Sequence, residues 1–306
     1  MLRFFLWRLS RALVTMFFVL LIAFLTVRFS GDPLESMFPE GVTIEQAEAL
    51  YRRWNLDLPL AEQFAIYLGH ILTGDFGRSL FSEEKVWKMY ADRLPATLSV
   101  GALALVVAIA IGIPLGAISA LKRGSVAERS LMGIAFLGYA VPHFVLGIGL
   151  ILCFGYYWRL LPTSGLESPA HYILPVLTLA VPMIAGVARF MRAAMLDTIG
   201  KPYVMTAASK GLHEGAIARR HVLRNAMIPL ITVLGLEIAG LINGSVFVEA
   251  VYSLPGVGRV LISSVEQRDF PVLQMGVIAY AGIVVFINLF VDLAYMLADP
   301  RVRVEG

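Results

Sequence analysis

The sequence is poor in charge and nearly without cysteine. Asp, Glu, Lys and Arg make up 15% of its 306 residues, where an ordinary soluble domain carries about a quarter. With 58% hydrophobic residues and a mean hydropathy of +0.77, the chain reads as an integral membrane protein. The single cysteine, Cys153, lies in an apolar run, which excludes an intrachain disulfide and a cysteine-built zinc cage. No G-x-x-x-x-G-K-[ST] occurs: Gly200-Lys201 has Met195 where the first glycine would stand, and Pro202 follows. ATP is therefore not bound through a P-loop in this chain. His213-Glu214 opens like a zinc-protease H-E-x-x-H, but Ile217 occupies the second histidine position and removes the metal-binding face. Gly256-Val257-Gly258 follows Pro255 without a strand-to-helix unit, so a turn is expected there, not a dinucleotide loop. No RNA-binding motif or basic-aromatic stripe is present, and no nucleic-acid partner is expected.

What is present is a series of long apolar windows. A crossing takes about 20 residues, and windows of that kind fall at 10–28, 97–121, 131–155, 173–190, 228–250 and 272–297. The expected fold class is all-α, a polytopic membrane protein with about six transmembrane helices. The fourth window is short and contains Pro175 and Pro182, which leaves a kinked helix and a broken one both open. The start, MLRFFLWRLSRALVTMFFVLLIAFLTVRFSG, has the basic and apolar regions of a signal peptide. Its apolar core is long and no A-x-A-type site follows, so an uncleaved anchor is expected.

Lys and Arg set the expected orientation. Arg3, Arg8 and Arg11 precede the first window, and Lys122, Arg123 and Arg129 separate the second and third. Arg189, Arg192, Lys201, Lys210, Arg219, Arg220 and Arg224 lie between the fourth and fifth, and Arg301 and Arg303 close the chain. The other short loops carry only Arg159, Arg259 and Arg268. Both termini are expected on the cytoplasmic side. The resulting organisation is 1–30 as flank and first span, 31–96 as an outer-face helical cap, 97–300 as a five-helix core containing a cytoplasmic loop at 191–227, and 301–306 as a cytoplasmic tail.

Two extramembrane pieces hold most of the pattern. In the cap, Thr43 with Glu45, Gln46 and Glu48 forms a helix start. Leu50, Trp54, Leu56, Leu60, Phe64, Tyr67, Leu68 and Ile71 recur at helical spacing, which predicts a helical hairpin on the membrane surface. In the 191–227 loop, residues 203–210 form a short helix, Gly211 supplies a left-handed residue that ends it, and Glu214 to Asn225 form a second helix. Ala207 and Ala208 beside that turn make a low-relief knob, a shape suited to docking in a cleft of another protein.

That helix, glycine turn and helix resemble the cytoplasmic loop of ABC importer permeases, where a Glu-Ala-Ala motif with a downstream glycine couples to the ATPase. Further stretches resemble, more narrowly, the dipeptide, oligopeptide, glutathione and nickel branch of that family. They are Gly31-Asp32-Pro33, Leu161-Pro162-Thr163-Ser164-Gly165, His171-Tyr172-Ile173-Leu174-Pro175, Arg224-Asn225-Ala226-Met227-Ile228-Pro229, Pro255-Gly256-Val257-Gly258-Arg259, Arg268-Asp269-Phe270-Pro271 and Asp299-Pro300-Arg301. Aligned on Gly211, the chain has Met205, Thr206 and Ala207 where the broad family has Glu-Ala-Ala. The resemblance implies a bacterial inner-membrane permease working by alternating access, with no catalytic residues of its own. It implies a homologous second permease, two ATPase subunits that hold ATP and Mg, a periplasmic substrate-binding protein and membrane lipid as partners. It places the ATPase-coupling contact at Thr206, Ala207, Ala208, Lys210, Gly211 and Glu214, and an outer gate in the loop from Glu249 to Pro271.

Polar groups inside spans are costly and ordinarily face a bundle interior or a water path. His143, Glu237, Asn243, Asn288 and Asp292 are such groups. Glu237, Asn243, Glu249 and Asp292 are the pathway or gate candidates, with structural pairing open for Glu237. For Asp292 an ion pair with Arg301 or Arg303 is expected. Gly112 with Gly116, and Gly240 with Gly244, make G-x-x-x-G pairs that allow close helix contact. The rival reading is an ion-driven secondary transporter or channel using Glu237 and Asp292. It lacks an internal repeat between the two halves and leaves the basic loop without a role.

Overall fold

The computed structural model describes residues 2–29, 43, 48, 51–52, 55 and 57–298, with side chains from Leu6 to Val291 of these. Among the described residues the regular elements are helices, and the one β-type pairing is an isolated bridge between Arg78 and Lys85. In chain order they are α1 (Leu2–Phe29), α2 (Leu60–Leu72), α3 (Val86–Leu121), α4 (Val126–Ala140), α5 (His143–Tyr157), α6 (Pro169–Ile199), α7 (Pro202–Ser209), α8 (Glu214–Val251), α9 (Val257–Glu266) and α10 (Phe270–Ala298). Among the described residues five helices are long and apolar enough to cross a membrane, and the α4–α5 pair makes a sixth crossing if the two halves form one span.

Three of the expected spans change shape. The second begins at Val86, inside what was expected to be the cap, and the helix runs on to Leu121 through both Pro95 and Pro114. The third, expected as one helix over 131–155, is bent by 102° between α4 and α5. Pro142 is the cause, since it lacks an amide donor and pushes Val141 into extended backbone at ψ 124°. The fourth is continuous. It keeps both prolines within 31 residues, starts on Ser168 with Pro169 in the first turn, and two-thirds of its most apolar stretch is buried, against 17–28% in the other four.

The chain divides into two compact units, one formed by residues 1–5, 96–255 and 286–306, the other by 6–95 and 256–285. In the first unit α6 is the central helix, packed against α4, α5 and α8. Its upper core joins Leu174, Leu179 and Met183 to Val100, Ala104, Val248 and Tyr252. Its lower core joins Val187, Met191 and Met195 to Val204, Val222, Ala226 and Leu230. Gly112 and Gly116 of α3 sit directly against Val187, Ala188 and Met191 of α6, so that G-x-x-x-G pair is a packing seam. Gly244 packs on His143 and Leu179, whereas Gly240 has no neighbour within reach of a Cβ.

Tyr252 ties this unit together. It is 1% exposed, donates from its hydroxyl to the Gly147 carbonyl at 3.1 Å, shares a hydrogen bond of 2.9 Å with Thr178 Oγ1, and accepts at its own carbonyl from Gly165 N at 3.2 Å. Tyr252→Phe keeps the ring and removes one hydrogen bond each from the Gly147 carbonyl, which keeps Ile151 N, and the Thr178 hydroxyl, which keeps the Leu174 carbonyl. The expected loss is about 1 kcal/mol of stability, read as a lowered melting temperature in detergent.

In the second unit α2 packs on α1 through Phe17, Phe24, Phe64 and Tyr67, with ring centroids 5.3 to 5.9 Å apart for the interhelical pairs. The described half of the expected surface hairpin is a helix packed on α1; its other half, with Leu50, Trp54 and Leu56, lies outside the described residues. Buried Asp269 accepts from Ser79 Oγ at 2.5 Å and Leu80 N at 3.2 Å, and Tyr90 donates to the Val272 carbonyl at 2.9 Å. These bonds hold the 78–90 segment against the start of α10. Gly256-Val257-Gly258 opens the amphipathic helix α9 instead of forming a simple turn, with Gly256 extended as its N-cap.

Candidate coupling and pathway sites

The loop between α6 and α8 is built as a docking knob. Pro202 starts α7 at its first position. At its end Leu212 N donates to the Ala207 carbonyl at 3.4 Å and Gly211 N to the Ala208 carbonyl at 2.9 Å, the paired bonds of a Schellman termination. That motif requires a left-handed residue, and Gly211 has φ +75°. His213 then caps α8, its Nδ1 accepting from Gly215 N at 3.1 Å. The helix after the turn is continuous with the fifth span and includes a π-helical stretch, Ala218–Leu223.

Of the six expected coupling residues, Thr206, Ala208, Lys210, Gly211 and Glu214 are exposed. Ala207 is not: it is buried, as is Val204, which belongs to the lower core. Positions 204 and 207 share one face of α7, and on that face Val204 packs into the cluster of Met191, Met195 and Val222. That face thus anchors the knob, and Tyr203 and Met205, which sequence reasoning did not select, take up its outward surface.

The base of this loop is braced by charge. Arg192 of α6 reaches Glu128 of α4 through both Nε, at 2.7 Å, and Nη2, and the same carboxylate accepts from Gly124 N. Ser125 caps α4 by accepting from Glu128 N at 3.1 Å. Arg192 was counted among flanking cations in the sequence; it lies within α6 and works as a strut.

The four pathway candidates separate. Glu249 is 2% exposed and accepts from Thr97 Oγ1 at 2.6 Å, so its carboxylate is part of the bundle interior. Asn243 lies on an exposed stripe of α8 with Leu236, Gly240 and Phe247. Glu237 is half-buried and its carboxylate rests against Gly186 of α6, with Arg189 one turn away acting on it electrostatically. Asp292 belongs to α10, but its side chain, like Arg301 and Arg303, lies outside the described residues. Tyr139 and Arg189 were not selected from sequence, since an arginine at the end of an apolar window reads as a flank; the arginine carbon stands 4.0 Å over the Tyr139 ring.

The family model for the binding-protein-dependent transport system inner membrane component matches residues 112–304, and its N-terminal companion matches 1–101. The chain belongs to this family. It is a membrane permease subunit of an ABC importer, and the secondary-transporter reading falls away. It is 35% identical over 336 residues, covering 99% of both chains, to the dipeptide transport system permease protein DppB of Escherichia coli K12. It is 38% identical over 297 residues, 97% of each chain, to the glutathione transport system permease protein GsiC of Shigella flexneri. In fold it matches the membrane subunit in an inward-facing structure of the MetNI methionine ABC transporter, with a TM-score of 0.61 at 17% identity over 70% of this chain and 97% of that one. An amino acid ABC transporter crystallised with histidines aligns at a TM-score of 0.56, 18% identity, over 68% and 94%.

Proposed function

We propose that this permease moves short peptides across the bacterial inner membrane as half of a pair with a homologous second permease. Two ATPase subunits hold ATP and Mg, and a periplasmic binding protein delivers the solute. Both termini lie in the cytoplasm, which puts the α7 knob on the ATPase side and the 31–95 segment on the side of the binding protein. The observation that carries this reading is the exposed α7–Gly211 turn standing between two long spans and seated on the lower core through Val204, with Ala207 buried one turn on. A force applied at Thr206, Ala208, Lys210, Gly211 and Glu214 reaches α6 and α8 together, the two helices that dominate the first unit. Asn243 supports a pathway along the seam with the second permease, because a polar amide on an outward face of an apolar helix is costly against lipid.

The chemistry is done by the partners, and this chain transmits and conducts. The test is uptake of labelled dialanine into proteoliposomes holding the assembled complex and its binding protein. Uptake that requires ATP is expected; uptake that proceeds without ATP, or ATP-driven uptake of a solute other than peptides, contradicts the reading.

A further inference from the structure

Two arginines of α6 meet two glutamates of neighbouring helices in different ways. Arg192 closes on Glu128 with two nitrogens, as a structural pair does. Arg189, one turn earlier, does not close on Glu237: its Nε is buried without a hydrogen-bond partner, and it attracts Glu237 without a direct ion pair. Buried donors are nearly always satisfied, and an unmet one calls for a missing partner. Each of the two side chains is also placed by a neighbour of its own. The Arg189 guanidinium is stacked at 4.0 Å on Tyr139 of α4, and Gly186 leaves the space that the Glu237 carboxylate fills, since a Cβ there would collide with it. Arg189 and Glu237 are both partly exposed, and Glu237 lies about 21 Å along the axis from Val251 at 1.5 Å per residue, well inside the span Glu214–Val251.

We infer that Arg189 and Glu237 form a transient site for a zwitterion within the translocation path. The planar guanidinium presents a fork that matches a carboxylate, and the Glu237 carboxylate takes an ammonium group. A molecule that carries both groups pairs with the two side chains that do not pair with each other, and the free termini of a short peptide have this chemistry. The inference rests on the peptide reading above and deepens it by naming the two substrate groups the chain itself contacts.

The test uses the assembled complex in proteoliposomes with its binding protein, and three probes: dialanine, its C-terminal amide and its N-acetyl derivative. For each probe the rate of a variant is divided by that of the wild type, which cancels the binding protein's own preference, and the membrane abundance of every variant is measured. Arg189→Gln and Glu237→Gln are each expected to lower dialanine uptake by about tenfold, which corresponds to about 1.4 kcal/mol. Arg189→Gln lowers the amide less, and Glu237→Gln lowers the acetylated peptide less. Arg189→Lys keeps the charge but loses the fork, and partial loss for dialanine is expected even where the neutral variant folds poorly. The double variant Arg189→Gln with Glu237→Gln removes both charges together and is expected to remain defective. Recovery of dialanine uptake in the double variant overturns the inference, because a structural pair neutralised on both sides is restored. An equal loss for all three probes overturns it as well. A wild-type complex that takes up no dialanine with ATP defeats the peptide reading and this inference with it, whereas a wild-type complex that transports dialanine beside unselective variants defeats the inference alone.

Discussion

Gly211→Val is expected to lower ATP-driven uptake by at least about tenfold while the protein stays in the membrane at normal abundance. Gly211 sits at φ +75° with no atom within 4 Å of the position a Cβ would take, so the substitution meets no neighbour and its penalty comes from the backbone. A left-handed conformation costs an ordinary L-residue about 1–2 kcal/mol, and a β-branched side chain is a genuine outlier there. The strain falls on the two Schellman bonds from Gly211 and Leu212. The exposed residues from Thr206 to Glu214 change arrangement, but Val204 remains seated in the lower core and Ala207 remains buried. Uptake, ATP hydrolysis and abundance measured on the same preparation separate lost coupling from lost folding. Normal uptake at normal abundance would remove α7 from the coupling role.

The second large effect is in stability. Gly116→Val places a Cβ against the Ala188 carbonyl and 2.7 Å from the Met191 Cβ, and neither the backbone nor a Cβ-level contact can swing aside. Overpacking of a tight interface costs about 1–3 kcal/mol, sometimes more, and here it separates α3 from the central helix. A large drop in folded, extractable protein is expected, with a lowered melting temperature in whatever remains. Gly240→Ala is the contrasting variant, since a Cβ there meets nothing within 4 Å; in a helix interior the alanine is expected to be neutral or to stabilise the chain by up to about 1 kcal/mol. Equal melting temperatures for the two variants would contradict the assignment of the 112–116 seam.

These two glycine pairs show how far sequence reasoning reaches. Both G-x-x-x-G motifs read alike, and only packing distinguishes Gly112, Gly116 and Gly244, which touch neighbours, from Gly240, which does not. The turn at Gly211 was legible because a helix stop and a left-handed residue are local properties, written in adjacent positions. Ala207 was misplaced on the docking surface because a helix of eight residues carries too little pattern to show which face is buried. The bend at Pro142 was hidden by an apolar window that continues across it, and hydropathy does not register a change of direction. Pro175 and Pro182 left a kinked helix and a broken one both open, and the span is one continuous helix, the most buried of the five, because neighbouring helices support a backbone that the local sequence weakens. Arg189 and Tyr139 were missed for a further reason: their meeting depends on the crossing of α4 and α6, which no short motif encodes.

The most direct test of the central claim is gentle extraction from native membranes followed by mass spectrometry of the intact assembly. The account predicts this chain bound to a second permease of similar length and two ATPase subunits carrying P-loops, in fixed stoichiometry. A chain that runs alone, or only with copies of itself, and conducts solute in liposomes without ATP would contradict it.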